Sequence, residues 1–137
     1  DDNWPLLRYA DVLLMYAEAL NELNPTPTDE AIDCINQIRR RAFAVTDTSH
    51  DLTPAEIIDQ QTFREVIALE RRLELCFEGH RWFDLVRTGE YMKVMNAHFE
   101  RYNAGAYVVE NYNDLFPIPQ REIDVNPNLL PNNPGYN

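Results

Sequence analysis

The sequence predicts an all-α protein: tetratricopeptide-like helical hairpins followed by an extended, Pro- and Asn-rich C-terminal tail. Three observations carry this. Apolar residues recur at three- and four-residue spacing over most of the chain up to Tyr102. Pro and Gly residues cut that pattern into helix-length pieces. From Phe116 onward the periodicity gives way to Pro117, Pro119, Pro127, Pro131 and Pro134. At 137 residues the chain is the length of one ordinary domain, so a single core over residues 1–137 is expected.

Pro5 suits the first turn of a helix, where a missing N–H costs nothing. From there Leu6, Leu7, Tyr9, Ala10, Val12, Leu13, Leu14, Tyr16, Ala17, Leu20 and Leu23 cover more than one face. A helix that apolar is expected to be buried on several sides. The next helix can cover only one of them, so the chain reads as a fragment with further elements upstream.

Asn24-Pro25-Thr26-Pro27 stops the first helix, and Thr28 can cap the second. There Ala31, Ile32, Ile35, Ile38 and Ala42 form an amphipathic stripe. The two helices make an antiparallel hairpin about one tetratricopeptide unit long, without that repeat's Trp, Gly and Tyr signature. Thr53-Pro54-Ala55-Glu56 reads as a capping box. The helix behind it, interrupted near Gln60, is expected to turn Ile57, Ile58, Phe63, Val66, Ile67, Leu69, Leu73 and Phe77 inward. Gly79 ends or kinks it. A further piece, Trp82 to Arg87, is closed by Thr88-Gly89. A short helix reaches from Tyr91 to Tyr102, and Tyr107-Val108-Val109 makes at most one short strand.

Twelve Lys and Arg against 23 Asp and Glu give a formal net charge of -11. That field repels phosphate backbones and anionic membrane surfaces, so nucleic acid is excluded as a natural partner while neutral sugars and peptides are not. Arg8, Asp11 and Glu18 interrupt the apolar run from Pro5 to Leu23, so it is not a membrane span. Cys34 and Cys76 form neither a C-x-x-C pair nor a metal spacing; both read as small buried hydrophobes, with a disulfide left open.

Glu70, Glu74 and Glu78 stack at four-residue spacing on one helical face, where like charges repel and ask for cations. Arg71–Glu74, Glu78–Arg81, Arg81–Asp84 and Asp84–Arg87 are i,i+3 candidates, and Arg39, Arg40 and Arg41 can arrive from the neighbouring helix. The expected result is a structural ion-pair network. The catalytic alternative is a glycoside hydrolase using Glu70 and Glu74, since helical i,i+4 carboxylates approach the roughly 5–5.5 Å of a retaining pair. No Glu-x-x-His or His-Glu-x-x-His pattern, Gly-rich phosphate loop or nucleophile–base spacing occurs, so no metal, cofactor or catalytic residue is assigned. His50, His80 and His98 read as ordinary structural or solvated histidines, and Trp82 and Phe83 as core anchors. The candidate ligand-binding residues are Tyr102, Tyr107 and Tyr112, interleaved with Asn103, Asn111 and Asn113. Exposed rings stack on the C–H faces of sugars, and amides bond hydroxyls in both directions. The competing reading has these tyrosines pinning an irregular loop to the helices.

Three segments together resemble the C-terminal region of SusD/RagB proteins. The first is Arg8-Tyr9-Ala10-Asp11-Val12-Leu13-Leu14-Met15-Tyr16-Ala17-Glu18-Ala19-Leu20-Asn21, followed by Ile35-Asn36-Gln37-Ile38-Arg39-Arg40-Arg41-Ala42. The second is the charged stretch Glu70-Arg71-Arg72-Leu73-Glu74-Leu75-Cys76-Phe77-Glu78-Gly79-His80-Arg81-Trp82-Phe83-Asp84-Leu85-Val86-Arg87. The third is Leu115-Phe116-Pro117-Ile118-Pro119-Gln120-Arg121-Glu122-Ile123 followed by Asn133-Pro134-Gly135-Tyr136. One departure is visible: Asn132 stands where the family usually has Gln.

The resemblance implies a non-catalytic nutrient-binding protein of the outer-membrane cell surface. It would be held by a lipidated N-terminal Cys that lies outside these residues, and would hand glycans or other nutrients to a SusC-like TonB-dependent transporter. Much of the family's ligand-binding surface lies upstream, so this region is expected to be mainly scaffold. Beside this reading stand the glycoside hydrolase and a tetratricopeptide-like adaptor that binds a protein segment.

Overall fold

The computed structural model describes residues 6–44, 46–103 and 107–136; Pro5 and the Asn103 side chain, both named above, lie outside them. All regular structure among the described residues is helical. The chain divides into two compact units, Asp1–His80 and Arg81–Asn137.

The first unit is three helices, α1 (Tyr9–Leu23), α2 (Asp29–Phe43) and α3 (Gln60–Glu74). The α1–α2 turn ends where Thr28 accepts a hydrogen bond from the Ala31 N–H at 3.2 Å, the cap its position predicts. Leu13, Leu14 and Ala17 of α1 meet Ala31, Ile35 and Ile38 of α2 and Phe63 and Ile67 of α3 in one core. Leu14, Ile35, Phe63 and Ile67 are at most 2% exposed, each burial stabilising the unit by about 1.5–3 kcal/mol. Polar ties give the directions. Glu22–Arg64, Asp11–Arg71 and Arg8–Glu74 run in opposite senses along α1 and α3, so those helices are antiparallel. Arg39–Glu70 and Arg41–Glu74 run in the same sense, so α2 and α3 are parallel.

The structure departs from the sequence pattern at several points. The first helix starts at Tyr9 and buries one face only, leaving Tyr9, Met15, Tyr16 and Leu23 exposed. Ala42 is exposed at the end of the α2 stripe. The expected Thr53–Glu56 capping box is present, but it opens only a 3₁₀ turn, Pro54–Glu56. The interruption expected near Gln60 is a full break: α3 begins there, where Asp59 accepts from the Thr62 N–H at 2.6 Å. In the turn, the Glu56 carboxylate accepts from both the N–H and the hydroxyl of Thr53 at 2.8 Å. The buried face of α3 runs through Phe63, Ile67, Glu70 and Arg71, which turns Leu69 and Leu73 away from it. Past Glu74 the chain leaves the helix, and Phe77 takes a φ of 67° with its ring 95% exposed. A left-handed conformation costs a non-glycine residue about 1–2 kcal/mol. Cys34 is buried as expected; Cys76, in the turn beyond α3, is exposed, and both are free thiols.

Two amide clasps hold the connections of this unit. Asn36 donates to the Leu52 carbonyl at 3.0 Å and accepts from its N–H at 2.7 Å, tying the long α2–α3 connection to α2. Asn21 donates to the Gln60 carbonyl at 3.1 Å, while the Gln60 amide donates to the Asn21 carbonyl at 2.6 Å.

The second unit holds α4 (Arg81–Arg87), α5 (Tyr91–Asn103) and α6 (Gln120–Val125). α4 ends on Gly89, φ 74°. The Gly89 N–H bonds the Val86 carbonyl at 3.1 Å and the Glu90 N–H bonds the Leu85 carbonyl at 3.0 Å, the paired bonds of a Schellman stop. Trp82 is half-buried, its ring 5.9 Å edge-on from Tyr91 and 6.4 Å from Phe116. Phe83 is 71% exposed and anchors no core among the described residues. Tyr107-Val108-Val109 forms no strand; Asn96 of α5 instead clasps the Val109 backbone with bonds of 2.9 and 2.7 Å. The tail is helical at α6 and in a 3₁₀ turn, Pro127–Leu129, where a wholly extended run was expected. Pro119 precedes the first of these and Pro127 opens the second, both positions where a missing N–H leaves no bond unmade.

Candidate functional site

Two constellations carry the chemistry of this chain: the carboxylate column of the first unit and the tyrosines of the second. In the column, each glutamate receives arginine. Arg39 donates to Glu70 at 3.0 Å, Arg41 to Glu74 at 2.5 Å, and Arg8 to Glu74 at 3.0 Å and to Glu78 at 2.7 and 2.9 Å. Arg8 also reaches the Glu74 carbonyl at 3.1 Å. The hydrogen bond from Arg8 holds the Glu78 carboxyl below its ordinary range, against the opposing effect of desolvation. Arg40, expected at the same column, pairs instead with Asp51. Glu70 is 8% exposed and the Glu74 side chain likewise 8%, so the two carboxylates of the hydrolase alternative face guanidinium groups. This geometry ties the start of α1 and the end of α2 to α3.

Two members escaped the sequence reading. Arg8 stands just before α1 and supplies the fork that spans Glu74 and Glu78. Asp11 lies on the buried face of α1 and accepts from Arg71 at 2.7 Å, with both side chains at most 7% exposed. The signal was present: an acid among the apolar residues that open a core helix asks for a cation or hydrogen-bond donor. Beside this network a depression of about 300 Å³ is floored by Ala10, Leu13 and Ile38 and rimmed by Arg8, Tyr9 and Arg41.

The three candidate tyrosines sit in different surroundings. Tyr102, in the last turn of α5, is 64% exposed; its ring lies 4.8 Å from His98 and 5.4 Å from the Arg101 guanidinium carbon. Tyr107 is 63% exposed and packs on Phe99 at 5.7 Å. Tyr112 is half-buried, edge-on to Tyr136 at 5.4 Å, and a Cβ added at Gly135 would overlap its ring. Asn113 spends its amide on the Tyr136 hydroxyl at 3.1 Å and accepts from the Glu110 N–H at 2.7 Å. Asn132, the one departure from the family pattern, clasps the Ile118 backbone at 2.8 and 3.3 Å, so the tail contact is made with the shorter amide. Much of the Asn richness is thus loop and tail fastening.

No group of three or more His, Cys, Asp or Glu side chains is arranged for a metal among the described residues. No described helix is long and apolar enough to cross a membrane.

Comparison with known proteins places this architecture. The model of the SusD family matches residues 1–136. Two curated relatives from Formosa agariphila are similar over 98% of the chain: SusD-like protein P2 at 39% identity and SusD-like protein P25 at 42%. The crystal structure of a SusD homolog from Bacteroides thetaiotaomicron superposes over 97% of the chain with a TM-score of 0.83 and 41% identity. The alignments take in 26%, 25% and 27% of those three proteins, so the chain spans about a quarter of their length. On sequence and fold together, the chain belongs to the SusD family.

Proposed function

We propose that the complete protein captures glycans or related nutrients at the outer-membrane surface and delivers them uncleaved to a SusC-like TonB-dependent transporter. Family membership over residues 1–136 is the observation that carries this reading. Nutrient binding without catalysis is the family's character, and attachment through a lipidated N-terminal Cys of the complete protein accompanies it.

Within that protein the first unit is scaffold. Its arginine–glutamate network and its core make a rigid base. The exposed apolar residues Tyr9, Val12, Met15 and Tyr16 of α1, with the depression beside Leu13, are where further chain of the complete protein packs. Relatives about four times as long supply the material for such packing. In the second unit Tyr102 and Tyr107 present rings for stacking on sugar. Tyr112 serves them indirectly, by fastening the loop to the tail.

The test is calorimetric titration of the complete protein with a glycan panel, with chromatography of the recovered sugars and co-purification from outer membranes. Binding, intact sugars and a co-purifying TonB-dependent transporter are expected. Shortened sugars would favour the hydrolase, and sugar-insensitive capture of a peptide would favour the adaptor.

A further inference from the structure

The chain has 23 Asp and Glu for 12 Lys and Arg, so an arginine without a carboxylate runs against its composition. Most cations here are committed: Arg8, Arg39, Arg40, Arg41, Arg64 and Arg71 are in ion pairs in the first unit, and Arg87 and Lys93 in the second. The side chains of Arg72, Arg101 and Arg121 hold no ion pair or hydrogen bond among the described residues. Of these three, Arg101 lies over an aromatic ring, 5.4 Å from the centre of Tyr102.

Other rings surround it. His98, one turn back on α5, is 4.8 Å from the same ring. Phe99 carries Tyr107 at 5.7 Å. Both tyrosines are about two-thirds exposed. Neither tyrosine hydroxyl nor either His98 nitrogen bonds to another described residue. The C-terminal end of α5 therefore gathers flat apolar faces whose polar tips are all unspent. A cation in the last turn also offsets the helix's own negative end; that alone accounts for a solvated arginine but not for the ring cluster around it.

We infer that this patch is a subsite for an acidic glycan, a sugar bearing carboxylate or sulfate groups. The sugar's C–H face stacks on Tyr102 and Tyr107, and its anion meets the Arg101 fork. Guanidinium matches planar and tetrahedral oxyanions with paired N–H donors. The net charge of -11 that repels long phosphate backbones also weakens binding of a long polyanion. On a short acidic oligosaccharide it acts mainly through the charges within about 8 Å, the rest being screened at physiological salt. The inference rests on the nutrient-binding reading above and adds the ligand's charge to it.

The experiment uses the complete protein and three probes: a galacturonate oligosaccharide, a sulfated carrageenan oligosaccharide and neutral maltoheptaose. Arg101→Gln is expected to weaken binding of the acidic probes about tenfold, the size of one lost charge-assisted hydrogen bond, and Tyr102→Ala to do at least as much. Arg121→Gln, at an exposed arginine with no ring contact among the described residues, removes the same charge and is expected to change nothing. The acidic probe that loses more names the anion. Equal effects of Arg101→Gln and Arg121→Gln, or an unchanged affinity in Arg101→Gln, would overturn the subsite. Wild-type binding of maltoheptaose without either acidic probe would overturn it while leaving nutrient capture standing. Binding of no sugar at all would sink both.

Discussion

Asp11 and Arg71 meet at 2.7 Å inside the first unit, each no more than 7% exposed. A buried pair is costly to desolvate, and the cost is offset only while both partners are present. Asp11→Ala takes from the Arg71 guanidinium the carboxylate it meets at 2.7 Å, and Arg71→Ala takes that guanidinium from the Asp11 carboxylate. Each change is expected to cost about 3–5 kcal/mol, a large share of the 5–15 kcal/mol typical of a folded domain. The double replacement Asp11→Leu with Arg71→Met removes both charges and keeps the volume filled, so it should lie within about 1–2 kcal/mol of wild type. Urea denaturation followed by far-ultraviolet circular dichroism measures all three. The coupling between the sites, taken from the cycle, should be several kcal/mol. Single variants within about 0.5 kcal/mol of wild type, or a double variant as unstable as the sum of the singles, would refute the reasoning.

Asn36→Ala should destabilise the unit by about 2–4 kcal/mol, since it orphans both the N–H and the carbonyl of buried Leu52; a urea midpoint unchanged from wild type would contradict this. Gly135→Ala meets two penalties at once, a φ of 85° and the ring of Tyr112. About 2 kcal/mol of local destabilisation is expected, seen as faster amide exchange over residues 111–113 and 133–136 with the first unit unaffected. Glu78 is held ionised by Arg8. A carboxyl lowered in the fold adds stability that is complete above its ordinary value of 4.5 and is lost as the pH falls through the lower folded value. Glu78→Gln should therefore be less stable at neutral pH and show a shallower acid limb in urea titrations from pH 7 to 3, whereas an identical limb would disconnect Glu78 from acid unfolding.

The helices were legible because local rules decide them. Thr28 caps α2 and Thr88-Gly89 stops α4 for reasons contained within a few residues. The family, too, was readable from the charged stretch around Glu70 and the tail around Asn133. The arginines of α2 were half legible: Arg39 and Arg41 reach the column, but Arg40 turns to Asp51 in the long connection, whose path no periodicity describes. Leu69 and Leu73 misled because apolar spacing cannot tell a face that meets α1 from one that does not. Arg8 was out of reach for a similar reason, since its partners lie 66 and 70 residues along the chain and only the antiparallel packing of α1 and α3 brings them near. For the tyrosines, Tyr112 and its asparagine neighbours are committed to the tail by contacts that a composition count cannot foresee.

A nutrient-capturing protein holds sugar without cutting it. The direct measurement is titration of the complete protein with the glycan panel, followed by size analysis of what is recovered. Saturable binding with every oligosaccharide recovered at its original length is the predicted result. Release of shorter products that Glu70→Gln or Glu74→Gln abolishes, with stability unchanged, would contradict it.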